Sequence, residues 1–424
     1  MHIALITAGG AGMFCGSCMH DNTLARALIA AGHEVSLIPT YTPIRVDETN
    51  VSTQHVFLGG INVYLDALVP GWRYLPRMMT RWLDSPTVLN LVTRFAISSN
   101  ARKLGRLTVA LLEGDRGPES REIEELVQFL GQKLKPDVVC FSNALLAGVL
   151  PRLRQVFSGK ICCLLQGDDI FLDELVEPFQ QQALHLLRGH ARLFDGFLVH
   201  SGYYRDFMAA YLELPLEKMH VVPLGIDLTG NDGLPAEAPH DPFTIGYFAR
   251  VCPEKGLHLL VDAFRIVHKQ RPRTRLLAAG YLGPRDQAYF DDVVRRAQDL
   301  GEAFRYMGSP PGHVEKVEFL KSLDVLSVPT TYREPKGLYV LEALANGVPV
   351  VQPRHGAFPE LLEATGGGLL VNPGDPTDLA RGLLELMADP PRRFELAEAG
   401  RRNVHAKFNS SMMAEATERV LRSL

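Results

Sequence analysis

Two doubly wound α/β sheets, each a parallel sheet covered by helices, form the fold class this sequence predicts. Three observations carry the prediction. Short apolar runs alternate with amphipathic helical stretches, the rhythm of βαβ units and of a parallel sheet. The rhythm restarts at Phe243 after residues 229–242, whose Gly- and Pro-rich composition marks a linker. The 424 residues suit two to three domains at about 150 residues each.

Composition narrows the function classes. The chain is 46% hydrophobic and 22% charged, with a formal charge of −4. No basic excess points to a nucleic-acid partner, and no acidic excess points to disorder. There is no apolar run of about 18 residues, the length of a membrane span. The start, Met-His-Ile-Ala-Leu-Ile, lacks the charged region of a signal peptide. Six cysteines are too few for a disulfide framework, so a cytoplasmic location is expected.

The first half reads as follows. The apolar run from His2 to Thr7 is a strand ending in the glycine loop Ala8-Gly-Gly-Ala-Gly12. Asp21 is suited to cap a helix over residues 22–31, with Leu24 and Leu28 on one face and Gly32 as its stop. Val35 to Pro39 is the next strand. A polar helix from Arg121 to Leu134 precedes the strand Asp137 to Phe141. Strands are then expected at Ile161–Leu165, Gly196–His200 and Met219–Pro223.

Residues 41–105 break the rhythm. Between 73 and 103 stand five arginines and one lysine against one aspartate, interleaved with Trp72, Tyr74 and Trp82. Residues 72–106 read either as a basic platform for an acceptor or a peripheral membrane contact, or as helices with arginine stems lying over apolar surface. The second is the commoner use of such a pattern.

In the second half the strand Phe243–Phe248 feeds a helix from Leu257 to His268, with Leu257, Leu260, Val261 and Phe264 on one face. Strands follow at Arg275–Ala279, Phe304–Met307, Val325–Pro329 and Pro349–Gln352. Helices are expected at Asp378–Met387 and Arg392–Ala406. Ligands of such sheets bind beyond the carboxyl ends of the strands, and with two sheets the cleft between them is the expected site.

The first glycine loop is not a dinucleotide fingerprint. Gly16 comes one residue late after Gly10 and Gly12, and no acid ends the second strand. Cys15 and Cys18 with His20 lack a fourth metal ligand, so no metal is assigned. Arg250 and Lys255 flank the loop after Phe248 and suit a polyanion, although a salt bridge to Glu254 is the simpler reading. The strongest segment is Glu334-Pro-Lys-Gly-Leu-Tyr-Val-Leu-Glu342. Gly337 opens a helix whose first N–H groups, at Gly337, Leu338 and Tyr339, favour a phosphate. Glu342 lies further along and offers two oxygens to a vicinal diol such as a ribose.

Glu334 and Glu342, with seven residues between and the run Gly337-Leu-Tyr-Val-Leu-Glu-Ala-Leu-Ala-Asn-Gly, resemble the signature of retaining GT-B glycosyltransferases, family 4 above all. That family includes sucrose, mannosyl and glycogen-synthase-like enzymes. The resemblance extends over residues 220–408, through Val222-Pro-Leu-Gly-Ile-Asp227, the pair Arg250 and Lys255, His355 to Glu360, and Gly368 to Asp375. It implies two Rossmann-like sheets facing across a cleft, and transfer of a hexose with retention from a UDP-, ADP- or GDP-linked sugar to an acceptor hydroxyl. Glu334, Arg250 and Lys255 are then the catalytic candidates. Gly16, Gly337, Leu338, Tyr339 and Glu342 are the donor-binding ones. The domains expected are 1–230 with 410–424, binding acceptor, and 231–409, binding donor. No strict Asp-x-Asp motif occurs, so catalysis without metal or cofactor is expected.

On the acceptor side, Gln166 stands where family members often carry histidine, and it cannot carry a proton. Asp168, Asp169 and His20 complete the acceptor-side candidates. A non-catalytic nucleotide- or sugar-binding protein, and a GT-B epimerase or phosphorylase, are the alternatives on the same scaffold. Phosphorolysis would need an extra anion site. Gly308 and Ser309 mark the expected surroundings of the base.

Overall fold

A computed structural model describes residues 1–9, 15–53, 56–57, 101–117 and 120–424. The loop glycines Gly10 and Gly12, and the basic stretch at 72–106 up to residue 100, lie outside the described residues. Contacts divide the chain into two compact units, Met1–Val222 with Met413–Leu424, and Pro223–Met412.

Among the described residues the elements run β1 (His2–Thr7), α1 (Gly16–Ala30), β2 (Glu34–Pro39), α2 (Ala101–Glu113), α3 (Ser120–Gln128), β3 (Val138–Phe141), α4 (Leu150–Val156), β4 (Lys160–Leu164), α5 (Asp168–Asp173), α6 (Phe179–Ala191), β5 (Gly196–Val199), α7 (Gly202–Tyr211) and β6 (Met219–Val221). There follow β7 (Phe243–Phe248), α8 (Leu257–Gln270), β8 (Thr274–Ala279), α9 (Gln287–Arg296), β9 (Phe304–Tyr306), α10 (His313–Lys321), β10 (Val325–Leu326), α11 (Leu338–Ala345), β11 (Val350–Pro353), α12 (Phe358–Thr365), β12 (Gly368–Val371), α13 (Pro376–Ala388), α14 (Pro390–Lys407) and α15 (Ser410–Ser423).

The first unit holds a six-stranded sheet in the order β2-β1-β3-β4-β5-β6, with every pairing parallel. Its strands are continuous apolar runs because both faces are covered. Alternate residues of β1 supply two cores: Ala4 and Ile6 pack with Val139, Phe141 and Ile161, while Ile3 and Leu5 pack with Leu24, Leu28 and Cys140. The C-terminal helix joins the second of these through Met413, Ala414, Ala416 and Leu421. The second unit holds another six-stranded parallel sheet, in the order β12-β11-β10-β7-β8-β9. Burial of Ile245, Leu260, Phe264, Leu341 and Phe358 in one cluster fixes the helices on it.

Two sequence expectations are corrected, a further strand is found, and the linker stretch packs on the second unit. Asp21 does not cap a helix: α1 begins at Gly16, and Asp21 is buried inside it, facing the sheet. The residues before it favour helix once Cys15 has turned from extended backbone. The strand foreseen to Pro329 ends at Leu326, after which the chain leaves the sheet to build a loop. β12 was not foreseen, because Gly367 and Gly368 mask its short apolar run. The stretch 229–242 lies against the second unit rather than running free. Asn346 Nδ2 donates to Asn231 Oδ1 at 2.8 Å, and Arg401 Nε donates to Gly233 O at 2.7 Å. No helix among the described residues is long and apolar enough to cross a membrane.

Candidate active site

In the second unit β7 delivers the chain to Arg250, and a 3-10 turn at Pro253–Lys255 leads to Gly256, the N-cap of α8. Gly256 has φ 71°, and a Cβ there would stand 1.9 Å from Pro329 O, so only glycine brings this turn against the loop after β10. Thr331 N–H donates to Glu254 O at 2.9 Å and stitches the two loops together. Lys255 and Glu334 thereby meet: Lys255 Nζ donates to Glu334 Oε2 at 2.6 Å.

Two tyrosines complete this cluster. The hydroxyls of Tyr332 and Tyr339 donate to the same Oε2 at 2.8 and 3.1 Å. Both rings also lie beneath the ammonium, their centroids 5.0 and 5.1 Å from Lys255 Nζ. Three donors therefore converge on one oxygen. Among the described residues the other, Oε1, takes only a long 3.4 Å bond from Lys336 N–H. Burial alone would push the Glu334 carboxyl up, but the Lys255 charge and the two hydroxyls pull it down to about 2. Burial and the Glu334 charge push both phenols well above their usual range. Glu334 is thus a buried carboxylate held ionised, with one oxygen lightly engaged.

Gly337 caps α11, so the helix begins four residues after Glu334 and its first N–H groups have no acceptor within the helix. Arg250 keeps 35% of its side chain exposed and stands 3.8 Å from Glu254 Oε2, a loose pairing, and it does not bond Glu334. Glu342, four residues into α11 from Leu338, is buried and accepts from Lys316 Nζ at 2.8 Å. The structure thus brings Glu334 and Lys255 into contact, with Tyr339 contributing its hydroxyl. It places Arg250 at the neighbouring strand end and pairs Glu342 with a cation that no sequence pattern had indicated.

The acceptor-side candidates lie in the first unit, around the carboxyl ends of β1, β3 and β4. Asp21 is their hub. Thr7 Oγ1 and Gln166 Nε2 donate to its carboxylate at 2.7 and 2.9 Å, and His20 Nδ1 lies 3.2 Å from Oδ1. Gln166 Nε2 also donates to Ser142 O at 3.3 Å. Asp168 accepts Ala144 N–H at 2.7 Å and Gln166 N–H at 3.0 Å, yet burial pushes its carboxyl up to about 6. Asp169 accepts the Tyr204 hydroxyl at 2.6 Å. Gly16 is the exposed first residue of α1. The Cys18 thiol, hydrogen-bonded to Cys15 and buried, is pushed up. No group of three or more His, Cys, Asp or Glu among the described residues is placed to hold a metal ion.

Sequence reasoning missed the hydroxyls of Tyr332 and Tyr339, together with Lys316, Asp21, Thr7 and Tyr204. Tyr332 had a usable signal, since it lies two residues from Glu334 in an extended loop. Lys316 had none, because it arrives from a separate helix.

Known proteins resemble this chain in sequence and in fold. Residues 235–403 match the glycosyl transferases group 1 family. The chain is 29% identical to the putative colanic acid biosynthesis glycosyltransferase WcaL of Escherichia coli (strain K12), over 81% of this chain and 86% of that one. It is 34% identical to the D-inositol 3-phosphate glycosyltransferase of Stackebrandtia nassauensis, over 47% of each chain. Its fold resembles that of the sucrose-phosphate synthase of Thermosynechococcus elongatus, at TM-score 0.72 and 21% identity, covering 100% of this chain and 98% of that one. It also resembles Anabaena Alr3699/HepE in complex with UDP, at TM-score 0.70 and 17% identity, covering 100% of both chains. Residues 235–403 thus carry a glycosyl transferases group 1 domain, and the chain has a GT-B fold of two parallel α/β sheets.

Proposed function

We propose that the protein transfers a hexose from a nucleoside diphosphate sugar to an acceptor hydroxyl with retention of configuration, without a metal ion or other cofactor. The observation that carries the reading is the buried, ionised Glu334 held by Lys255, Tyr332 and Tyr339 beside the N-terminus of α11. Breaking a glycosidic bond to a diphosphate leaves an anion and an electron-poor sugar carbon. Arg250, Lys255 and the first N–H groups of α11 offset the developing phosphate charge. Glu334 directs its lightly engaged Oε1 to the hydroxyls of the transferred sugar, and its charge steadies the cationic centre. Glu342 holds the ribose. The solved HepE complexes with UDP and with UDP-glucose support a uridine donor.

The first unit takes the acceptor, through the polar cluster of His20, Gln166, Asp168 and Asp169. None of the six cysteines is in a disulfide, in keeping with the cytoplasmic setting we propose. The test is incubation with UDP-, ADP- and GDP-linked hexoses and a panel of acceptors, following nucleoside diphosphate release and the anomeric configuration of the product. Glu334→Gln and Arg250→Ala should each lower turnover by about 10²–10³-fold, the scale of losing one group that stabilises transition-state charge. Unchanged turnover in either would remove that residue from the mechanism, and an inverted product would overturn retention.

A further inference from the structure

Lys316 and Glu342 form a pair that the transfer chemistry does not call for. Both are more than nine-tenths buried, at 4% and 8% exposure, and Lys316 Nζ donates to Glu342 Oε1 at 2.8 Å. Lys316 stands on α10, the helix after β9, and Glu342 on α11, so the bond joins two elements on the same sheet. A buried lysine and glutamate are costly to desolvate, and an apolar pair of similar size would often be as stable. The arrangement is also asymmetric. Among the described residues no donor reaches Glu342 Oε2, whereas Oε1 keeps one lone pair beyond the bond to Lys316. A vicinal diol matches what is left, with one hydroxyl donating to each oxygen.

We infer that Lys316 is the positioning residue for ribose recognition, holding Glu342 in the one orientation that presents Oε2 and the open side of Oε1 to the 2′- and 3′-hydroxyls of a nucleoside diphosphate. The inference rests on the proposed nucleotide-sugar reading and adds a residue to it. A carboxylate without this tether has several rotamers open to it, and ordering it at binding costs affinity. The tether removes that cost in advance. It also supplies a counter-charge next to a ligand that brings its own negative charge. Lys316 therefore sets preference for ribose over 2′-deoxyribose without touching the nucleotide.

The experiment is calorimetric titration of the full chain with UDP, ADP and GDP and with their 2′-deoxy counterparts. The native protein should bind one ribonucleoside diphosphate at least about tenfold more tightly than its 2′-deoxy form, the scale of one lost hydrogen bond to a charged group. Lys316→Met should weaken binding of the ribonucleotide by about tenfold and leave the 2′-deoxynucleotide within about twofold, so the preference collapses. Lys316→Arg, which keeps the charge and a donor, should restore most of the preference. A purely structural role would weaken both nucleotides alike. If Lys316→Met does not fold, Lys316→Gln, with a neutral donor, takes its place. A full ribose preference in these variants, or equal losses for both nucleotides, overturns the inference. A native protein that binds a nucleotide without ribose preference overturns it as well. Failure of the native protein to bind any of the three ribonucleotides instead defeats the nucleotide-sugar reading on which it rests.

Discussion

Lys255 Nζ stands 2.6 Å from Glu334 Oε2, at the junction of two loops that are 79 positions apart in sequence. The two side chains are 16% and 6% exposed, so each is the other's counter-charge in a setting that water screens poorly. This contact turns two separate motifs into one site, and most of the expected behaviour follows from it.

Removing one partner leaves a buried charge without compensation. Lys255→Met is expected to destabilise the protein by about 3 kcal/mol, the low end of the range for breaking a buried pair. The double change Lys255→Met with Glu334→Leu should recover much of that loss, since no lone charge remains. Urea denaturation of the single and double variants checks this. Losses that simply add would show that the pair is not coupled.

The acid side of stability should report Glu334. Its carboxyl lies at about 2 in the folded chain against an ordinary 4.5, so the ionised form is favoured by folding. That contribution is complete well above pH 4.5 and fades as the pH falls toward 2. It amounts to about 3 kcal/mol at neutral pH from the size of the shift. Denaturation from pH 7 to pH 3 should show a steeper loss for the native chain than for Glu334→Gln. Parallel curves would contradict the depressed carboxyl.

Tyr332 and Tyr339 each donate one hydroxyl to the ionised Glu334. Tyr332→Phe or Tyr339→Phe removes a bond that favours the charged form, so the carboxyl must rise. The expected outcome is an acid limb of kcat/KM displaced to higher pH, with a loss of about tenfold or less in kcat at neutral pH, consistent with one hydrogen bond to a charged group. A pH profile identical to that of the native enzyme would assign the hydroxyls to packing alone.

Gly356 backs the loop that carries Glu334. It has φ 60°, and a Cβ there would lie 2.5 Å from Glu334 O and 2.6 Å from Glu334 N. Gly356→Ala therefore has to push the Glu334 backbone aside, at a cost of about 1–3 kcal/mol for a strained non-glycine residue. Turnover should fall by more than the stability loss explains, because the carboxylate moves with its backbone. Melting curves and initial rates on one preparation separate the two effects.

Asp21 joins β1, α1 and β4 by accepting from Thr7 and Gln166 beside His20. Asp21→Ala removes the buried acceptor shared by Thr7 and Gln166, for an expected loss of about 3 kcal/mol. Asp21→Asn should cost less, since its carbonyl still accepts one bond. Equal stabilities for Asp21→Ala and the native chain would show that the buried network contributes nothing.

The legible part of this molecule lay in periodic and local signals. Eleven of the strands described above were expected within a few residues of where they occur, because both faces of each are covered and the apolar run is continuous. Glu334, Gly337 and Glu342 were legible because a glycine and two acids at fixed spacing along a helix start form a local pattern. β12 escaped because three glycines precede only three apolar residues, too short a run to stand out. Asp21 was misread because an aspartate ahead of an apolar stretch looks the same whether it caps the helix or sits in its second turn.

The amino-acid order by itself determined the parallel sheets, the break in rhythm before Phe243, and the helix start that follows Glu334, since each depends on neighbours within a few positions. Only the tertiary structure decided the partners: Lys255 on Glu334, Lys316 on Glu342, and Gln166 on Asp21, separated by 79, 26 and 145 positions. Such pairings are set by strand order and by which loops leave the same sheet edge, and no local spacing encodes either. For that reason the type of chemistry was readable from the chain, whereas the charge state of Glu334 and the orientation of Glu342 had to be read from the fold.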